Sequence, residues 1–236
     1  MGSDGDVEII LLTGYYSQKL SGARLKQVYD LAPEPVRRYL DSELNHVIAS
    51  IRPTDLVLEL GCGYGRVLPE LASRARWVVG IDTSNSSLQF ARNFIQDTQN
   101  ISLTQSDAAK LSFREHTFDL VVCIQNGISA FHVDPRTLIS ESLRVTKTGG
   151  RVLFSTYSAR FWRERLRWFQ LQSEAGLLGE IDYDRTEEGR IVCKDGFTAT
   201  TLTREDFLKL TSGLNANIRI QEVDESSLFC EIVPHA

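Results

Sequence analysis

Residues 56–60 read Leu-Val-Leu-Glu-Leu, an apolar run interrupted only by Glu59 and bounded by Asp55 and by glycine. A run this short, without alternation, predicts a strand buried on both faces of a parallel sheet. Comparable runs recur at residues 77–82, 101–105, 118–124 and 151–156. Helical spacing fills the intervals: residues 66–74, 84–96 and 135–145, with Ser84 placed to cap the second of these. Upstream, Leu25, Val28, Tyr29 and Ala32 repeat at helical spacing after Ser21 and Gly22. A longer amphipathic helix is predicted over residues 33–51, its face marked by Val36, Tyr39, Leu40, Leu44, Val47, Ile48 and Ile51. Strands alternating with helices predict an α/β domain on a parallel sheet.

The later part of the chain changes pattern. Residues 160–173 carry Phe161, Arg165 and Trp168 on one helical face, with Leu171 and Trp162 close by. Residues 181–201 alternate around Asp195-Gly196, a hairpin signal. Thr203, three residues before Asp206, resembles a capping box and starts another helix. Residues 218–223 and 228–233 then pair across residues 224–227 as an antiparallel hairpin.

Candidate chemistry begins immediately after the first strand. Gly61, Gly63 and Gly65 alternate, so the backbone can turn sharply and lie against a ligand at a helix start. The spacing is G-x-G-x-G with Arg66 where a dinucleotide fingerprint needs a small residue. The second strand ends on Asp82, 17 residues after Gly65, placed to accept from both hydroxyls of a ribose. Gln125, Asn126 and His132 follow the fourth strand, where side chains project into the ligand crevice. Asn126 and His132 are the catalytic candidates, His132 as a general base with a pKa near neutrality.

The run Glu59-x-Gly61-x-Gly63-x-Gly65 resembles motif I of the class I S-adenosylmethionine-dependent methyltransferases. With the turn at residues 147–153 the resemblance covers about residues 55–157. It implies a three-layer α/β sandwich around a seven-stranded, mostly parallel sheet of order 3-2-1-4-5-7-6, the last strand antiparallel. It also implies S-adenosyl-L-methionine as cofactor and S-adenosyl-L-homocysteine as product. Gly61, Gly63 and the Cys62 backbone would then meet the methionine portion, and Glu59 would orient the turn or the donor's ammonium. Asp82 would hold the ribose, Thr83 would lie beside the adenosine, and Asp107 with the Ala108 N–H would take the adenine edge. Gln125 lies in the loop that the family sets beside the methyl group, and Tyr16 lies in an N-terminal lid segment. The implied divisions are an N-terminal helical lid (1–52), a cofactor-binding core (53–158), an inserted cap (159–202) and a C-terminal helix and hairpin (203–236).

Composition narrows this reading without redirecting it. A net charge of −5 lacks the basic surplus of a nucleic-acid footprint. The arginines and aromatics at residues 160–169 keep an RNA methyltransferase as an alternative, beside a non-catalytic S-adenosylmethionine-binding protein. A nicotinamide-dependent oxidoreductase is disfavoured by Arg66 and by the terminal hairpin. Cys62, Cys123, Cys193 and Cys230 have no C-x-x-C spacing, and the histidines stand in no ligand pattern with them, so no metal is expected. No acid ends the fourth strand, which disfavours a magnesium-dependent mechanism. No apolar run approaches the roughly 18 residues of a membrane span, and residues 1–6 read as a tail or an expression remnant rather than a signal. The expectation is a cytoplasmic monomer or homodimer that methylates an O or N atom of a small molecule by in-line displacement, without metal.

Overall fold

A computed structural model describes Tyr15, residues 19–96 and residues 98–235. Tyr16, residues 1–6 and the apolar stretch at residues 7–12 lie outside the described residues. Among them, seven strands form one sheet: β1 (Leu56–Leu60), β2 (Trp77–Asp82), β3 (Ile101–Gln105), β4 (Phe118–Cys123), β5 (Thr146–Tyr157), β8 (Ala216–Val223) and β9 (Ser227–Pro234). The order is β3-β2-β1-β4-β5-β9-β8, with β9 antiparallel to both its neighbours and the first five strands parallel. Leaving aside the separate ribbon of β6 (Arg190–Val192) and β7 (Thr198–Thr200), this is the expected order 3-2-1-4-5-7-6.

The unbroken apolar runs are explained by coverage on both faces. In β1 and β4, Val57 pairs with Leu120 and Leu58 with Val121. Because successive side chains point to opposite faces, the pairs feed two different cores. Leu58 and Val121 pack with Ile128, Leu138, Ile139 and Phe207, which belong to α5 (Gly127–Ala130), α6 (Pro135–Val145) and α8 (Arg204–Thr211). Val57 and Leu120 pack with Val47, Leu68, Leu71 and Leu88 from α2 (Glu34–Ser50), α3 (Leu68–Ala72) and α4 (Asn85–Phe94). Caps fix the ends: the Ser84 side chain accepts from Ser87 N, and Thr203 and Asp206 form a complete capping box.

A third apolar cluster lies off the sheet. It joins α1 (Ala23–Asp30), the start of α2, the aromatic helix α7 (Trp162–Glu174) and the ribbon through Val28, Tyr39, Phe161, Trp168, Phe169 and Phe197. Hydrogen bonds tie the same parts together: Trp168 Nε1 donates to Val28 O at 3.0 Å, and Tyr15 OH to Asp195 Oδ2 at 2.8 Å. The basic side chains of this region do not interleave with its aromatics on an exposed face. Arg165 is buried, its guanidinium 4.7 Å from the Tyr157 ring centre, while Arg160 pairs with Glu225 and Arg167 with Glu174.

Two elements differ from expectation. The helix after the glycine turn begins at Leu68, not Arg66, and ends at Ala72. Gly61, Gly63 and Gly65 all have positive φ, so the turn uses two more residues before Pro69 can open a helix. β5 begins at Thr146 rather than after residue 150, with a register shift against Phe118 and Leu120 that carries Gly149 at φ 72° inside the strand.

Candidate active site

The glycine turn opens a cavity of about 500 Å³ at the carboxyl ends of β1, β2 and β4. Gly61, Gly63 and Gly65 take φ of 72°, 54° and 83°, a region that side chains disfavour. Space is closed there as well: a Cβ on Gly61 would stand 2.5 Å from the Phe131 ring, and one on Gly63 2.8 Å from Leu25. The turn is pinned to β2, with Cys62 N donating to Ile81 O and Gly63 N donating to Asp82 Oδ2, both at 2.8 Å. The other Asp82 oxygen accepts from Ser84 N at 2.7 Å, so one carboxylate fixes both loops that border the cavity. Burial raises the Asp82 pKa above the usual carboxylate range, and the two N–H donors pull it back.

Thr83, Asp107 and Ala108 line the same cavity beyond Asp82. Asp107 Oδ1 accepts from Ala109 N at 2.8 Å, a local turn bond that occupies one of its two oxygens. Glu59 lines the floor, 5% exposed, and its Oε2 is buried without a hydrogen-bond partner. Burial pushes its pKa up to about 8, opposed by the nearby Arg66 charge and reinforced by Asp82.

Beyond β4, Gln125 alone of the three expected polar side chains lines the cavity. Its φ is 55°, and its backbone N donates to Ser155 Oγ at 2.9 Å and to Glu43 Oε2 at 3.1 Å. Its Oε1 accepts from Tyr29 OH at 2.7 Å, while its Nε2 is buried with no acceptor. Asn126 and His132 require correction, because neither lines the cavity. The Asn126 amide is spent on the scaffold: Nδ2 donates to Thr200 O at 2.8 Å and Oδ1 accepts from Thr156 Oγ1 at 2.7 Å. His132, at φ 53°, leaves that wall to its neighbours Phe131 and Val133, and burial lowers its pKa.

Trp168 and Phe169 of the aromatic helix close the cap side with Gln172 and Phe197. Arg66, noted in the sequence only as a departure from the dinucleotide pattern, stacks its guanidinium 4.9 Å from the Tyr29 ring centre. Behind Gln125 stands Glu43, fully buried, with its pKa pushed up to about 7 by desolvation. A signal existed for Glu43: it is the acid at helical spacing between Tyr39, Leu40 and Val47 on the apolar face of α2.

The family model described as a methyltransferase domain matches residues 57–150, the stretch that carries the glycine turn, Asp82, Asp107 and Gln125. Over those residues the chain is similar to a methyltransferase domain. The ubiquinone biosynthesis O-methyltransferase of Coxiella burnetii is 33% identical over 107 residues, covering 44% of this chain and 44% of that protein. A phosphatidylethanolamine N-methyltransferase of Cereibacter sphaeroides is 36% identical over 107 residues, covering 44% of this chain and 51% of its own length. The chain thus aligns with only about half the length of the curated relatives it matches. The solved DhpI-SAM-HEP complex superposes on 99% of this chain and 100% of its own, with a TM-score of 0.63 at 19% identity. That likeness is one of fold. Among the described residues no helix is long and apolar enough to cross a membrane, and no three His, Cys, Asp or Glu side chains cluster as metal ligands.

Proposed function

We propose that this methyltransferase domain transfers a methyl group from S-adenosyl-L-methionine to an O or N atom of a small molecule. The observation that carries the reading is the glycine turn clamped by Asp82, with the unpartnered Glu59 oxygen on its floor. These residues fit the cofactor chemically. Glu59 would accept from the ammonium, and bare backbone at Gly61 and Gly63 leaves room for the methionine chain. Asp82 would take the ribose hydroxyls, and Asp107 with the Ala108 N–H would take the adenine edge.

When bound, the sulfonium supplies an electrophilic methyl group. The chain's own work is then to hold donor and acceptor in line and to exclude water. Trp168, Phe169 and Phe197 line the cavity from the cap side, and Gln125 Nε2 offers a donor to the bound substrate. β4 runs out into Gln125 and Asn126 rather than carboxylates, so the reading carries no metal step. The inward-turned Arg165 favours a small molecule over RNA, and the relatives named as O- and N-methyltransferases keep both acceptor atoms open. Four free, buried cysteines suit a reducing cytoplasm.

Isothermal titration with S-adenosylhomocysteine and with NAD, on the wild type and on Asp82→Ala, tests the reading. Micromolar binding of S-adenosylhomocysteine alone, weakened at least about tenfold in the variant, is the expected result. Binding of NAD, or of neither compound, would overturn it.

A further inference from the structure

Three buried nitrogen donors beside Tyr29 have no well-aligned acceptor among the described residues: Nε and Nη2 of Arg66, whose guanidinium also approaches the Tyr29 hydroxyl, and Nε2 of Gln125. Tyr29 physically links them. Its ring lies under the Arg66 guanidinium at 4.9 Å, and its hydroxyl holds the Gln125 oxygen at 2.7 Å, which turns the amide nitrogen away from Tyr29. Both donor side chains line the main cavity, on the side that meets α7, where the Tyr29 and Trp168 ring centres are 5.9 Å apart. Leaving a buried donor unpaired is costly, and a charged donor more so. A ligand that supplies the acceptors recovers that cost.

The protein supplies them only in part. Arg66 makes no ion pair among the described residues, although its charge is felt by Glu43 and Glu59. Burial pushes those two carboxyls up to about 7 and about 8, so near neutral pH they compensate the guanidinium only in part. Aromatic rings, a planar guanidinium and an amide donor together match one chemistry: an unsaturated or aromatic ring bearing a carboxylate.

We propose that Arg66, Tyr29 and Gln125 form a carboxylate-binding subsite, and that the methyl acceptor is a planar ring compound carrying that carboxylate. The proposal rests on the methyltransferase reading, since it assigns the second ligand of the same cavity. The cofactor's own methionine carboxylate has the same chemistry, so the test must separate the two sources.

The experiment titrates benzoate and benzyl alcohol into protein saturated with S-adenosylhomocysteine. S-adenosylhomocysteine and methylthioadenosine, which lacks the amino-acid end, are titrated separately. Wild type, Arg66→Met and Gln125→Glu are compared, with circular dichroism confirming that each variant is folded. The expected result is benzoate binding in preference to benzyl alcohol, weakened at least about tenfold in both variants while S-adenosylhomocysteine affinity is retained. Equal binding of benzoate and benzyl alcohol, or benzoate binding indifferent to both variants, would overturn the subsite. Loss of S-adenosylhomocysteine affinity with methylthioadenosine unaffected would give the subsite to the cofactor's carboxylate and overturn the substrate assignment. Failure of the wild type to bind S-adenosylhomocysteine at all would sink the underlying methyltransferase reading instead. If Arg66→Met does not fold, Gln125→Glu, which keeps the side chain's size and sets a carboxylate against the ligand's, decides alone.

Discussion

Glu43 stands alone as an acid on the apolar face of α2, and its titration has a consequence for stability. Desolvation raises its pKa from an ordinary 4.5 to about 7, against the pull of Ser155, Arg66 and the Gln125 N–H. Between those two values the folded chain holds a proton that the unfolded chain has released. Stability from this group is therefore fully present below about pH 4.5 and is lost as pH rises through about 7. Glu43→Gln removes the dependence. Urea unfolding at a series of pH values should show the variant gaining on the wild type by on the order of 3 kcal/mol across that window. Parallel curves would mean that Glu43 stays ionised in the fold. Gly61 gives a second prediction at this scale. With φ at 72° and Phe131 2.5 Å from the position of a Cβ, Gly61→Ala should cost about 1–2 kcal/mol in stability. It should also weaken S-adenosylhomocysteine binding more than tenfold by calorimetry, about 1.4 kcal/mol or more.

The cap ribbon is held to the core partly through one side chain, Asn126, which bridges β5 and β7 by way of Thr156 and Thr200. Asn126→Ala leaves the Thr200 carbonyl and the Thr156 hydroxyl short of a partner, a loss of about 1–3 kcal/mol. Limited proteolysis should then cut within residues 176–200 faster than in the wild type, with the seven-stranded sheet still intact by circular dichroism. Cleavage at wild-type rates would show that Asn126 is not what holds the ribbon. The same residue shows where sequence reading stops. Apolar runs exposed β1, β2 and β4, and capping residues exposed the starts of α4 and α8, because each of these signals lies within a few neighbours. The direction of a loop side chain depends on backbone φ instead, and Gln125, Asn126 and His132 all sit at positive φ, uncommon for residues other than glycine. Hence three polar residues past β4 looked alike, and only Gln125 reaches the cavity. The link from Glu43 to the cavity escaped notice for a different reason. Glu43 meets its partner Gln125 82 positions along the chain, and no local pattern carries such a contact.

Across the whole molecule, the cavity lies where the third apolar cluster meets the carboxyl edge of the sheet. Leu25, Val28 and Tyr29 from α1, Trp168 and Phe169 from α7, and Phe197 beside the ribbon all face it together with the glycine turn. A ligand bound there touches the sheet and both covering segments at once, so binding should stabilise all three as a unit. At a free S-adenosylhomocysteine concentration about 100 times its Kd, linkage gives about 2.7 kcal/mol. For a chain of this size that corresponds to a rise in Tm of about 5–10 °C by scanning calorimetry, and Asp82→Ala at the same concentration, with affinity about tenfold lower, should show at most about half of it. Hydrogen exchange distinguishes a shared effect from a local one. Amides of α1 and α7 should gain protection on binding, whereas those of β8, at the far edge of the sheet, should change little. A shift in Tm with no added protection in α1 or α7 would mean that the ligand is gripped by the glycine turn and Asp82 alone. The helices would then be a fixed wall, and control of access to the cavity would have to lie elsewhere.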